Sequence, residues 1–169
     1  MVFPENLVIK GVKDSKKLSP KKREILFKEI KCKALPIGVG IVKPIEIDEI
    51  NIYKATVKAM LKALKNLTIM PALIIVDAIK LPLNIKQLVL TKAEYYSASV
   101  AAASIIAKVT RDRIMKNFHK LYPMYDFDKN KGYATKKHLD YLRKYGPSPI
   151  HRQSFNPVCN FLLSHGRQE

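Results

Sequence analysis

The stretch from Ser97 to Leu121 constrains the fold more than any other part of this sequence. It is the longest helical pattern in the chain, and its first half is crowded with small residues: Ala98, Ala101, Ala102, Ala103, Ser104 and Ala107. The distance between a helix and its neighbour is set by the side chains at the contact, so such a surface lets the backbone approach a sheet or another helix closely. The second half carries larger apolar residues, Ile114, Phe118 and Leu121. A long helix, closely packed through its N-terminal half, is therefore the first expectation.

The remaining segments supply its neighbours. Ser19 to Ala34 reads as a helix, with Ser19 as N-cap, Pro20 at the first helical position and an apolar stripe of Ile25, Leu26, Ile30 and Ala34. Pro36 ends it, and Ile37-Gly38-Val39-Gly40-Ile41-Val42 reads as a strand. Asp48 to Leu67 is a further helix, since Ile50, Tyr53, Val57, Met60, Leu61, Leu64 and Leu67 recur at helical spacing, with Lys54, Lys58, Lys62 and Lys65 on the other side. Ala72-Leu73-Ile74-Ile75-Val76 is a continuous apolar run, typical of a strand covered on both faces. Gln87 to Leu90 is a second strand candidate, after the turn-prone Leu81-Pro82-Leu83-Asn84. Tyr122 to Tyr133 reads as a polar, aromatic loop. Thr135 to Tyr145 reads as a helix closed by Gly146 and Pro147, and the apolar tail from Phe155 to Leu163 suggests one more. Strands alternating with helices give an α/β class. A chain of 169 residues suits one domain, taken here as 1–169.

Charge narrows the partners. Thirty-one Lys and Arg against fourteen Asp and Glu leave a formal +17, which favours a polyanion, nucleic acid or an anionic surface, over a neutral partner; a Lys-rich solvated surface is the plainer explanation. No stretch reaches the ~18 apolar residues that span a membrane, and the N-terminus lacks the pattern of a signal peptide. Cys32 and Cys159 fit no metal spacing and are expected to be reduced, which places the chain in the cytoplasm. His119, His138, His151 and His165 show no ligand spacing among themselves, so zinc is not expected.

Asp77 is the most informative carboxylate. It follows the apolar run directly, where ligands gather at strand ends in α/β sheets, although it also suits a simple cap on the turn. Glu94 precedes the long helix; it either stabilises the helix N-terminus or shares a site with Asp77. Asp112 is set aside: on one continuous helix it would lie roughly 27 Å from Glu94, and Lys108 or Lys116 offers it a partner on its own helix. Ser15, Lys16 and Lys17, after Asp14, suit phosphate contacts. Tyr133, between Gly132 and Ala134, suits either stacking or packing.

In order along the chain, GVKDSKKLSPKKRE, EIDEINIYKATVKAM, LIIVDA, TKAEYYSASVAAASIIAKVTRDRIM and KGYATKKHLDYLRKYGPSPIHRQSF resemble ribonuclease HII, over about Ile9 to Phe155. The resemblance implies a ribonuclease H-like fold, a mixed sheet flanked by helices, with a core over about 1–121 and a C-terminal helical extension over 122–169. It implies an endonuclease that hydrolyses the RNA strand of RNA–DNA hybrids and cuts 5′ to ribonucleotides embedded in DNA, as a monomer without membrane attachment. Two Mg²⁺ or Mn²⁺ ions held by four carboxylates would do the chemistry. Asp77 matches the third of these. Glu94 takes the fourth position, where the family usually has Gly-Asp in place of Ala93-Glu94; type 3 ribonucleases H carry Glu there. Tyr133 matches the tyrosine that packs on the ribose of the scissile junction, and Ser15, Lys16 and Lys17 match a loop holding the substrate backbone.

The family opens with a strand ending in Asp-Glu and then Gly-Arg-Gly, and neither motif occurs here. The first strand is expected to be missing from this chain, through a late gene start, a fragment, or completion of the fold by another polypeptide. The alternative to an enzyme is a non-catalytic RNA–DNA binding module. On this reading the chain as written cleaves weakly or not at all and has reduced stability.

Overall fold

In a computed structural model, residues 1–165 are described apart from 3, 5, 6, 13 and 35; Lys13 of the GVKDSKK stretch lies outside the described residues. The chain divides into two compact units, Met1–Ile41 with Val57–Thr110, and Val42–Thr56 with Arg111–Glu169. The class is α/β, with helices beside a small parallel sheet.

In the first unit, helix α1 (Pro20–Lys33) starts as the sequence indicates: the Ser19 hydroxyl accepts the Lys22 N–H, and Pro20 takes the first turn, where its missing N–H is no loss. Its buried face is Leu26, Phe27 and Ile30; Ile25, expected in the stripe, is exposed and Phe27 takes its place. These residues meet Ala102, Ile105, Ile106 and Val109 of α3 (Ala98–Leu121), together with Ile9 and Leu18. Ala101 and Ala102 are almost wholly buried, so the small-residue face serves close approach as expected, whereas Leu121 at the far end of α3 is exposed.

Helix α2 (Pro44–Lys65) begins before the expected Asp48 and is broken at Asn51 (φ 68, ψ 167). Tyr53, placed in its stripe by periodicity, is exposed; Val57, Met60 and Leu64 instead pack under Ile74, Val76 and Leu81. Strands β1 (Leu73–Asp77) and β2 (Lys86–Leu90) pair in parallel, with Ile75 opposite Leu88 and Asp77 opposite Leu90. Burial alternates along β1. Ile74 and Val76 are covered while Leu73 is 44% exposed, so the run is not buried on both faces as its composition suggests. The connection over 78–85 is closed by Gln87, whose amide accepts the Leu81 N–H (2.8 Å) and donates to the Leu81 and Leu83 carbonyls (2.8 and 3.2 Å).

Residues 37–42, expected as a strand, form no strand ladder among the described residues. Their glycines serve packing instead. A Cβ at Gly38 would fall 1.9 Å from the Ala63 carbonyl oxygen, and one at Gly40 the same distance from that of Ala59. Side chains of α2 then take up the freed carbonyls: Asn66 donates to Val39 O (2.8 Å) and Lys62 to Ile41 O (3.1 Å).

The second unit is organised around aromatic and imidazole rings. The segment read as a loop holds a short 3₁₀ turn, Pro123–Tyr125, and helix α4 (Phe127–Asn130). Tyr125 and Phe127 stack at 5.3 Å, and both touch the rings of His138 and His151. Helix α5 (Lys136–Tyr145) is capped by Thr135, whose hydroxyl accepts the His138 N–H, and stops at Gly146 (φ 71); α6 (Val158–His165) is the expected tail helix.

The two imidazoles lie parallel, with their Nε2 atoms 3.3 Å apart. The Ser148 N–H donates to His151 Nδ1 (2.9 Å), which forces the proton onto His151 Nε2 and makes His138 Nε2 the acceptor. His138 Nδ1 lies 3.2 Å from the Asn130 amide nitrogen and 3.4 Å from the Tyr125 carbonyl oxygen. Burial, and the neighbouring His138 second, push His151 down to about 4; burial also lowers His138.

Candidate metal centre and nucleic-acid interface

Asp77 ends β1 and is exposed; the chain turns at once through Ala78 (φ 60), whose N–H reaches Leu90 O across the strand end. Asp77 Oδ1 accepts the N–H of Ala93, at 3.3 Å, at the start of a 3₁₀ turn over Ala93–Tyr95. Ala93 is completely buried and pins this turn, and Lys92 enters it in the left-handed region (φ 57). Glu94 is thereby carried, half-buried, next to the backbone group that Asp77 holds. The hydrogen bond is also what a simple turn cap would make, so the geometry accommodates both readings of Asp77.

Ser15, Lys16 and Lys17 form a short 3₁₀ turn capped by the Asp14 side chain, which accepts the Lys16 N–H at 2.9 Å. Arg23 reaches back from α1 to donate to the carbonyls of Ser15 (3.0 Å) and Leu18. Ser15 is buried and anchors the turn, while Lys16 and Lys17 are exposed. Lys17 Nζ lies 5.0 Å from the Tyr95 ring centroid. Its pKa is raised, first through the hydrogen bond and charge interaction with Tyr95, with smaller contributions from Asp14 and Glu94. In the first unit, Lys17 thus lies against Tyr95 in the same turn as Glu94, and Asp77 holds the start of that turn.

Tyr133 belongs to the second unit and is 58% exposed. The turn that presents it hangs on buried Asn130, whose Oδ1 accepts the Gly132 N–H (2.7 Å) and whose amide donates to Tyr125 O (2.6 Å). Lys131 and Gly132 are both left-handed (φ 52 and 75), which swings the chain so that Tyr133 projects. The Arg111 guanidinium lies 4.9 Å from its ring centroid.

His119, Asp126 and Asp128 each bring one ligand atom within 4.8 Å of the others. His119 lies against an aspartate nine residues on rather than another histidine, which is why histidine spacing gave no sign of the group. His119 Nδ1 is 3.4 Å from Asp128 Oδ1, and Lys129 sits 3.2 Å from Asp126. His119 Nδ1 and Asp128 Oδ1 are buried without a hydrogen-bond partner among the described residues, so the three side chains form a group that could hold a metal ion.

The frame is α/β, with one carboxylate at a strand end and a second in the turn it caps. The ribonuclease HII family model matches residues 4–158, and the chain belongs to that family. It is 51% identical over 162 residues to the ribonuclease HII of Bacillus cytotoxicus and 50% identical over 161 residues to that of Bacillus subtilis. These matches cover 96% and 95% of the chain but only 62% and 63% of the two relatives, so the chain spans less than two thirds of their length. Among solved structures it resembles the ribonuclease H2 of Pyrococcus horikoshii OT3 (TM-score 0.77, 30% identity, 93% of this chain and 82% of that one). It also resembles a chain in the PCNA:RNase HII complex of Archaeoglobus fulgidus (TM-score 0.61, 26% identity, 94% and 82%).

Proposed function

We propose that this chain carries metal-binding and substrate-reading parts of an endoribonuclease that hydrolyses the RNA strand of RNA–DNA hybrids and cuts 5′ to ribonucleotides embedded in DNA. The observation that carries this reading is the junction of β1 with the turn over Ala93–Tyr95, where the Asp77 carboxylate meets the Ala93 N–H beside Glu94 in a chain of this family. Carboxylate oxygens at a solvent-accessible strand end fit Mg²⁺ or Mn²⁺. Held by Asp77 and Glu94 with further carboxylates, such ions would supply an activated water and charge neutralisation at the scissile phosphate.

The chain's own side chains do the rest. Lys16 and Lys17, on a turn fixed by Arg23 and Asp14, neutralise backbone phosphates. Tyr133 offers an exposed ring to a ribose, where a 2′-hydroxyl distinguishes RNA from DNA. We place the protein in the cytoplasm as a monomer; its two free cysteines suit a reducing compartment. Among the described residues, no helix is long and apolar enough to cross a membrane.

The test is a duplex with one embedded ribonucleotide, incubated with Mg²⁺ or Mn²⁺ and either this chain or its Asp77→Asn variant. At most weak cleavage 5′ to the ribonucleotide is expected, dependent on the ion and lost in the variant, with the variant's melting temperature unchanged because Asp77 is exposed. Cleavage indifferent to the ion or to Asp77→Asn would refute the assignment. Tight hybrid binding without cleavage would favour a binding module instead.

A further inference from the structure

The group formed by His119, Asp126 and Asp128 lies wholly within the second unit. His119 stands in the last turn of α3, Asp126 directly before α4 and Asp128 in its first turn. One ligand atom from each falls within 4.8 Å of the other two. His119 Nδ1 is 3.4 Å from Asp128 Oδ1, yet both atoms are shut off from solvent and neither has a hydrogen-bond partner among the described residues. The two side chains are otherwise 30% and 35% exposed, so an ion has a way in. Asp126 occupies the N-cap position of α4, but its carboxylate makes no capping hydrogen bond. It faces the Lys129 ammonium instead, which lies 3.2 Å from both of its oxygens.

This arrangement is unfavourable as it stands. A buried nitrogen or oxygen without a partner has lost its hydration for nothing in return, and two carboxylates brought together repel. The Lys129 ammonium answers only Asp126, and its side chain is 74% exposed, so the pair is weak. A divalent cation would satisfy all three ligands at once. With bonds of about 2.0–2.1 Å, two ligand atoms on a tetrahedral ion stand about 3.3–3.4 Å apart. His119 Nδ1 and Asp128 Oδ1 already have that separation. The Asp126 ligand atom has at most about 1.4 Å to close. An all-carboxylate group would suit Mg²⁺ or Ca²⁺; the imidazole nitrogen moves the preference to a borderline ion such as Zn²⁺.

We infer that His119, Asp126 and Asp128 bind one divalent cation of the zinc class, with water completing its coordination. The site shares no residue with the Asp77–Glu94 junction and does not rest on the nuclease reading. Its role is structural: it ties the end of α3 to the start of α4. The last residue of α4, Asn130, holds the Tyr125 carbonyl and the Gly132 N–H, and so sets the turn that presents Tyr133.

The experiment titrates Zn²⁺ into the intact chain, with a non-thiol reductant and excess Mg²⁺ present, and follows binding by calorimetry and stability by thermal melts. One Zn²⁺ per chain is expected, with a melting temperature that rises as Zn²⁺ is added, because an ion that binds the folded chain stabilises it. His119→Gln, Asp126→Asn and Asp128→Asn should each weaken binding at least ~10-fold, since even an outer-shell partner of a metal site is worth roughly that much. Each should also remove the zinc-dependent rise in melting temperature. Lys129→Ala takes away the competing ammonium and should tighten binding about two- to fivefold, the equilibrium weight of an exposed ion pair. Asp77→Asn should leave zinc binding unchanged. Zinc binding that survives all three ligand variants, that falls with Asp77→Asn or that Mg²⁺ displaces overturns the site. Absence of binding also overturns it and leaves an ion pair only. Should the ligand variants fail to fold, Lys129→Ala decides the matter, tighter binding supporting the site and unchanged binding overturning it.

Discussion

Lowering the pH should unlock the second unit through His151. The neutral imidazole is required by its contacts: Nδ1 accepts the Ser148 N–H, and Nε2 donates to His138. A second proton would set a donor against the Ser148 N–H inside a buried ring cluster. The folded pKa of about 4, against an ordinary imidazole value of 6.5, means that the unfolded chain binds more protons between these values. Stability is therefore fully present above pH ~6.5 and falls as pH drops toward 4. For a single group with these two pKa values, the loss is about 2 kcal/mol by pH 5 and about 3 kcal/mol by pH 4. His138, also lowered, adds to it in the same direction. Other groups titrate in this range too; the Asp48 carboxyl, for example, is held below its usual range. There burial pushes upward, but the Ser154 and Gln153 hydrogen bonds and the Arg152 charge outweigh it. The measurement is accordingly a difference: urea melts of the unaltered chain and His151→Asn at pH 7.5, 6, 5 and 4. The asparagine oxygen can still accept the Ser148 N–H but does not titrate. The variant is expected to start less stable and to lose about 2 kcal/mol less than the unaltered chain between pH 7.5 and 5. Parallel curves would refute the argument.

Three further perturbations test the packing. Gly40→Ala places a carbon 1.9 Å from a helix carbonyl oxygen and 2.7 Å from the Ala63 nitrogen, so α2 must shift; a loss of about 1–3 kcal/mol is expected in a chemical melt, and a neutral result would mean that the segment moves freely. Leu26→Ala removes a side chain only 1% exposed, at the meeting of α1 and α3, and should cost about 2–5 kcal/mol in the same assay. Asp48→Ala releases the Gln153 and Ser154 N–H groups and should cost about 1–2 kcal/mol in the same assay.

Much of the local structure was legible in the sequence, because caps and periodicity act over a few residues. Ser19-Pro20 starts α1, Thr135 and Gly146 bracket α5, and the apolar run before Asp77 is a strand. The charge and the ordered motifs pointed to nucleic acid and to the family. What sequence periodicity reported wrongly depends on partners distant in the chain. Ile37 to Val42 has strand composition, yet its glycines exist for contact with α2 rather than for a ladder. The apolar residues of β1 are covered on one face only, since composition records hydrophobicity and not what lies above the sheet.

The second unit shows the same limit more sharply. Nothing in the spacing of His138 and His151 marks them as a stacked, proton-ordered pair, and Asp48 meets Ser154 across a separation of 106 residues. Arg111 and Arg152 are ordinary cations in a basic sequence until folding brings both beside aromatic rings. The sequence determined where α1, α5 and the strand before Asp77 lie, because caps and apolar runs act through short-range sterics and composition. Only the tertiary structure decided which charges confront one another, because electrostatic and packing energies depend on distances that chain order does not specify.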